Sequence, residues 1–296
     1  TGDSVMIEHR HLSWIDATAQ ALLSANILCT MAEALERQDD VDPERREAAH
    51  LRNLIATHSR NTEDGFYYHW HPRQGHSPIK SVGAYWTLLA DAVPTEHVPE
   101  FVAWLNEPTA FNRPHRVPTL AYDSPFYAAD GDYWRGGVWP PTNYMVLRGL
   151  SSTGYDDLAH EIAVNHHENV LEVFRQTGTV WEFYAPEQIT PGYLVDGRTG
   201  RDDFVGWGGL APIALLLEYR FGLRPNVPAN RLVWDIRELD EFGVRRYPFG
   251  RSGLLDLHCA ARTAHETPPE VRIDSNCTLE LYLRWAGGER MIEVTP

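Results

Sequence analysis

The chain has 296 residues, is 43% hydrophobic and 23% charged, and carries a formal net charge of −15, which fits one large globular domain or two smaller ones. The acidic balance argues against a nucleic-acid partner, since no basic patch is there to neutralise phosphates, and no apolar run approaches the roughly 18 residues of a membrane span. Cys29, Cys259 and Cys277 give no disulfide framework; buried free thiols are expected, with a Cys259–Cys277 pair as the alternative; no signal-peptide pattern opens the sequence, but a start at Thr1 rather than Met suits a processed or truncated chain, and a cytoplasmic location is expected ahead of a secreted one.

The predicted elements begin with a long helix over Trp14–Gln38, capped by Ser13, whose apolar residues (Trp14, Ala17, Ala21, Leu28 and Leu35 among them) keep helical spacing. A second helix starts at Asp42-Pro43-Glu44 and runs to about Ser59, acidic at its start and basic later, as the helix dipole favours. Residues 61–77 turn polar and aromatic. Within them His69-Trp70-His71 and His76 have the look of a metal site, because extended H-x-H spacing can put both rings on one side. No cysteine lies nearby and Pro72 and Gly75 interrupt the run, so no metal and no other cofactor is expected. Further helices are predicted at about Ser81–Ala92, Glu96–Asn106, Pro140–Ser152, Asp156–Thr177 and Phe204–Phe221.

Between them lies the richest stretch, DGDYWRGGVWPPTNYMVLRG, from Asp130 to Gly149. Proline fits the first helical turn, where its missing N–H has no partner anyway, so Tyr133, Trp134, Arg135 and Trp139 sit on a loop that empties into a helix. Apolar sugar faces stack on such rings and hydroxyls accept from a guanidinium; the plainer alternative is a loop that buries its own aromatics. After Gly222 the texture changes. Arg224–Pro228 reads as a linker, and from Leu232 onward short runs alternate with period two, the last two joined by a turn at Ala286–Glu289. The domains expected are therefore 1–223, helical, and 226–296, a small antiparallel β-sandwich whose job is packing.

The segment YWRGGVWPPTNYMVLRGL resembles the YWRGPVWPPxNYLVxRGL pattern of glycoside hydrolase family 63 and its mannosylglycerate-hydrolase-like relatives. WEFYAPE (Trp181–Glu187) and DFVGWGGLAPI (Asp203–Ile213) match the same family in the same order. Gly137 departs from the pattern, which usually has proline there. The resemblance implies an (α/α)6 barrel and inverting hydrolysis of an α-glycosidic bond in a small oligosaccharide or a glycosylglycerate. Glu182 takes the general-base position, with Trp181 and Tyr184 beside it, and Trp207 stands at the mouth of the last helix. The family's acid is an Asp in a segment like SGxDxS; Thr1-Gly2-Asp3-Ser4 makes Asp3 the candidate, with Asp16, Asp130 and Asp132 as alternatives. Lys80 could reach the pocket or cap a helix.

Seven predicted helices fall short of the twelve in six hairpins. The barrel is therefore expected to be incomplete, and the chain to pair with a missing N-terminal segment or to self-associate. A small carbohydrate is the expected ligand. The alternative function is a non-catalytic, carbohydrate-binding fragment that lacks half of the pocket.

Overall fold

The computed structural model describes residues 12–296, so Asp3 lies outside the described residues. The chain divides into two compact units, Thr1–Gly209 and Leu210–Pro296.

In the first unit α1 (Ile15–Ala34) packs on α2 (Gln38–Leu54), which a π-helical turn, Ile55–Ser59, extends. The residue at the start of α1 with extended backbone is Trp14, not Ser13. Helical spacing put Leu28 and Leu35 on the inner face; instead they stand exposed with Ile27 and Met31, while Ile15, Ala19, Leu22 and Ala25 are buried. The hairpin β1 (Trp70–His71) and β2 (Gly75–His76) follows. The helices expected near 81–92 and 96–106 are broken into 3₁₀ turns around the short α3 (Trp86–Leu89) and α4 (Val98–Ala103). They hold the aromatic core of this unit, where Tyr85 stacks on Phe101 at 4.6 Å and Phe66 on Phe111 at 6.0 Å.

Helices α5 (Pro140–Ser152) and α6 (Asp156–Thr177) follow. Pro140-Pro141 starts the first, and Gly178, at φ 75°, ends the second in the left-handed conformation that glycine adopts without strain. Helix α5 lies close to α3 because Gly149 has no Cβ; one there would stand 2.9 Å from Leu88 Cβ.

The second unit opens on a π-helical stretch, Ala211–Arg220. Leu217 and Phe221 pack on the strand core, which places the division between the units earlier than position 223. Two sheets share that core: β3 (Leu223–Asn226), β4 (Arg231–Asp235), β8 (Leu279–Trp285) and β9 (Gly288–Val294) in the order β3-β4-β8-β9, and β5 (Phe242–Phe249), β6 (Gly253–Cys259) and β7 (Val271–Ser275). The sandwich is mixed rather than purely antiparallel, since β4 and β8 run parallel. Arg224-Pro225-Asn226, expected as linker, is most of β3 and pairs with β4. All three cysteines are free.

Candidate active site

The loop before α5 has a costly backbone. Asp132 and Tyr133 have φ of 24° and 61°, in the region that disfavours side chains, and Gly131 and Gly136 flank them at 102° and 143°. Such conformations persist where surrounding bonds over-determine them, and here they are many. Gly137 N–H donates to Gly131 O at 2.7 Å, Gly136 N–H to Thr119 Oγ1 at 3.1 Å, and Arg135 Nη1 to Asp132 Oδ2 at 2.9 Å. Arg135 Nε also donates to Phe126 O at 3.1 Å. The guanidinium therefore braces its own loop and is not among the residues lining the cleft described below.

The loop's rings form one stack. Trp134 lies on Trp139 at 4.2 Å and 9°, and Trp139 on Phe183 at 4.8 Å and 12°. Tyr133 and Trp207 both meet Trp139 edge-on, at 4.8 and 5.7 Å. Trp139 is 0% exposed and its Nε1–H donates to Tyr133 O; it backs Trp134 and offers no free face of its own. Trp134, Tyr133 and Trp207 are 42%, 40% and 46% exposed.

The segment carrying Glu182 is clamped to this stack. Val138 and Tyr184 exchange both main-chain bonds, at 2.8 and 2.9 Å. Trp181 and Tyr184 are buried, and the Trp181 N–H donates to the Tyr184 hydroxyl. Beyond them Glu187 accepts two bonds from Arg113, at 2.7 and 2.9 Å, and one from the Tyr127 hydroxyl at 2.6 Å. These bonds, Arg113 first, hold the Glu187 carboxyl below the usual carboxylate range. Beneath Tyr184 lie two buried histidines joined by a 2.8 Å bond between His115 Nε2 and His166 Nδ1. Burial keeps both neutral, pushing His166 down to about 3.

Glu182 itself is half-buried. The turn Gly206–Leu210 lies against its main chain, because Gly208 lacks a Cβ; one there would stand 2.3 Å from Trp181 O and 3.5 Å from Glu182 Cα. That close approach puts Trp207, one residue before, next to the carboxylate's segment.

Trp134 and Trp207 line a cleft of 680 Å³, a size that suits a small organic ligand. Trp14 and Trp86 line it as well, as do Asp16 and His69. Tyr133, Arg135, Trp139, Trp181, Glu182 and Tyr184 are not in the lining. Trp14 fell at core-like helical spacing and so was not marked as a wall residue; the signal that could have found it is its place one residue before the first helical turn.

The three histidines weighed as a metal site go separate ways. His69 Nδ1 accepts from Ile15 N–H, His71 Nδ1 accepts from Arg73 N–H, and the His76 ring bonds to His58 O. Among the described residues no group of three His, Cys, Asp or Glu could hold a metal ion. Lys80 pairs with Asp64 at 3.4 Å over the Trp104 ring and does not line the cleft.

The helical unit thus holds a cleft walled by tryptophans, with the half-buried Glu182 on a segment next to that of Trp207. Residues 2–193 match the mannosylglycerate hydrolase MGH1-like glycoside hydrolase domain, and the chain belongs to that family. It is 25% identical over 188 residues to an uncharacterized protein of Borreliella burgdorferi, covering 62% of this chain and 40% of that one. To the mannosylglycerate hydrolase of Thermus thermophilus it is 27% identical over 124 residues, 42% of this chain and 28% of that protein. A crystal structure of a family 63 mannosylglycerate hydrolase from Thermus thermophilus, in complex with glucose, shares the fold with a TM-score of 0.56 at 21% identity, over 70% of this chain and 48% of that one. The chain thus spans less than half the length of these relatives.

Proposed function

We propose that this chain carries the general-base half of an inverting glycoside hydrolase acting on an α-glycosidic bond of a small oligosaccharide or a glycosylglycerate. The observation behind this reading is the position of Glu182. It is half-buried in an aromatic segment, tied through Val138–Tyr184 to the loop bearing Trp134, and backed by the turn that bears Trp207. In this reading Glu182 takes a proton from water as the water attacks the anomeric carbon. A second carboxyl group protonates the leaving oxygen from the other face, about 6.5–9.5 Å away. Asp3 is the candidate acid. Asp132 is a poorer one, since Arg135 already engages it. Trp134 and Trp207 stack on the sugar. The helical unit is an incomplete (α/α)6 barrel that pairs with a further N-terminal segment or self-associates. A solved relative in complex with glucose supports a sugar-sized ligand.

The test is the anomeric configuration of the first product, followed by NMR on α-glucosides and α-mannosides, glycerate conjugates included. The β-anomer is expected first; an α-anomer first would exclude inversion. A second reading, sugar binding without turnover, draws on the absence of Glu182 from the cleft lining; it requires that sugars bind the cleft while no product forms.

A further inference from the structure

We propose that Asp16 anchors ligands in the cleft and sorts them by charge, favouring an amine over a hydroxyl and a hydroxyl over a carboxylate. At this position the cleft would then take a neutral or amine-bearing group, and a glycosylglycerate only with its carboxylate turned away from Asp16; the sugar part of that statement rests on the carbohydrate reading above.

The first ground is an unmet hydrogen bond. Asp16 lies in the first turn of α1 and lines the cleft, and its Oδ1 is buried with no partner among the described residues. A buried acceptor left unsatisfied loses its solvation without return, and a ligand N–H or O–H at that oxygen restores it.

The second ground is the balance of charge. Among the described residues the lining contains no Lys and no Arg, and Asp16 is its one carboxylate. His69, the other titratable group in the lining, does not supply a cation. Its Nδ1 accepts the Ile15 N–H at 3.0 Å, which places the proton of the neutral ring on Nε2, and burial lowers its pKa against the pull of Asp16. A ligand carboxylate would meet a like charge with no Lys or Arg among the described lining residues to offset it. A ligand ammonium would find a charge-assisted acceptor in a lining that holds four tryptophans, and indoles attract cations.

The third ground is that Asp16 is held in place. Its Cβ is packed so closely on Gly83 that a Cβ added there would stand 3.1 Å away, with Ser81 Oγ at 3.3 Å from the same point.

The experiment is a tryptophan-fluorescence titration near neutral pH with two sets of ligands. One set is glucosamine, glucose and glucuronate. The other is cyclohexylammonium, cyclohexanol and cyclohexanecarboxylate, which carry the same charges without a sugar. The amine should bind about tenfold more tightly than the carboxylate, the scale of one charge-assisted hydrogen bond, and Asp16→Asn should compress that ratio to about threefold or less. Gly83→Ala, which crowds the carboxylate without removing it, should narrow the ratio too and serves if Asp16→Asn does not fold. Equal affinities across both sets, an order that survives Asp16→Asn, or no binding by either set would overturn the proposal. Charge-ordered binding of the cyclohexyl set without any sugar binding would support Asp16 as the anchor and reject the carbohydrate reading. Sugar binding with no charge order would do the reverse.

Discussion

Two segments of the helical unit have nearly the same composition and opposite fates. Tyr133-Trp134 and Trp181–Tyr184 are both short, aromatic and next to a helix end. Yet Tyr133 and Trp134 are 40% and 42% exposed, whereas Trp181, Phe183 and Tyr184 are 7%, 1% and 0% exposed. The difference lies in the backbone. Left-handed φ at Asp132 and Tyr133 turns the first segment outward over its own stack. The second pairs with Val138 and sinks, with Phe183 completing the stack under Trp139. One segment is wall and the other is foundation, and aromatic content does not tell them apart.

The foundation should be sensitive to acid. His115 and His166 are neutral in the fold because they are buried, and His166 is pushed down to about 3. Below the ordinary histidine value of about 6.5 the unfolded chain therefore binds protons that the folded chain refuses. Stability is fully present above that value and falls by about 1.4 kcal/mol per pH unit for each histidine as pH drops toward the folded pKa. Thermal melts from pH 8 downward should show this decline, and His166→Gln should make it shallower. A melting temperature flat down to about pH 5 would show that the pair is not neutral and buried.

The wall should fail at Gly137. A Cβ there would stand 2.3 Å from Tyr133 O, and the residue's N–H is spent on Gly131 O. Although the family pattern that this loop resembles has proline here, Gly137→Pro in this chain should cost about 3 kcal/mol or more and abolish ligand quenching of the cleft tryptophans. Urea unfolding measures the first and titration the second; a neutral or stabilising proline would mean that the loop has another conformation.

A smaller loss is expected at the far end of the foundation. Glu187→Gln removes the ionic acceptor of Arg113 and Tyr127 and should cost about 2 kcal/mol, with sugar affinity reduced less than by Gly137→Pro. Unchanged stability in urea would show that the Glu182 segment does not depend on that anchor. The smallest effect belongs to Arg135→Lys. Half exposed, the arginine pairs with Asp132 rather than the cleft, so about 1 kcal/mol or less is expected, with sugar affinity within about twofold. A larger loss of affinity would return Arg135 to the ligand.

Much of this was legible in the sequence where local chemistry decides. Pro140-Pro141 and Gly178 mark helix ends that need no tertiary partner, and period-two alternation located β6 and β8. Strand β5 escaped because Arg245, Arg246 and Pro248 break its pattern, and a bulge between Val244 and Tyr247 accommodates them. The helices near 81–106 are shorter than their periodicity suggested, since their aromatic residues pack on one another and do not require long helices. Trp134 and Trp207 could be picked out by residue type. The membership of Trp14, Asp16, His69 and Trp86 in one cleft could not, because it depends on chain segments far apart in sequence meeting in space.

The proposed role of Glu182 in activating water is tested by Glu182→Gln in a protein that turns over a sugar substrate, with rate and melting temperature measured on the same preparation. The expected result is a loss of turnover of about 10²-fold or more, the scale of a removed general base, with the melting temperature unchanged. Turnover within tenfold of the parent, in a protein that melts at the parent temperature, would contradict it.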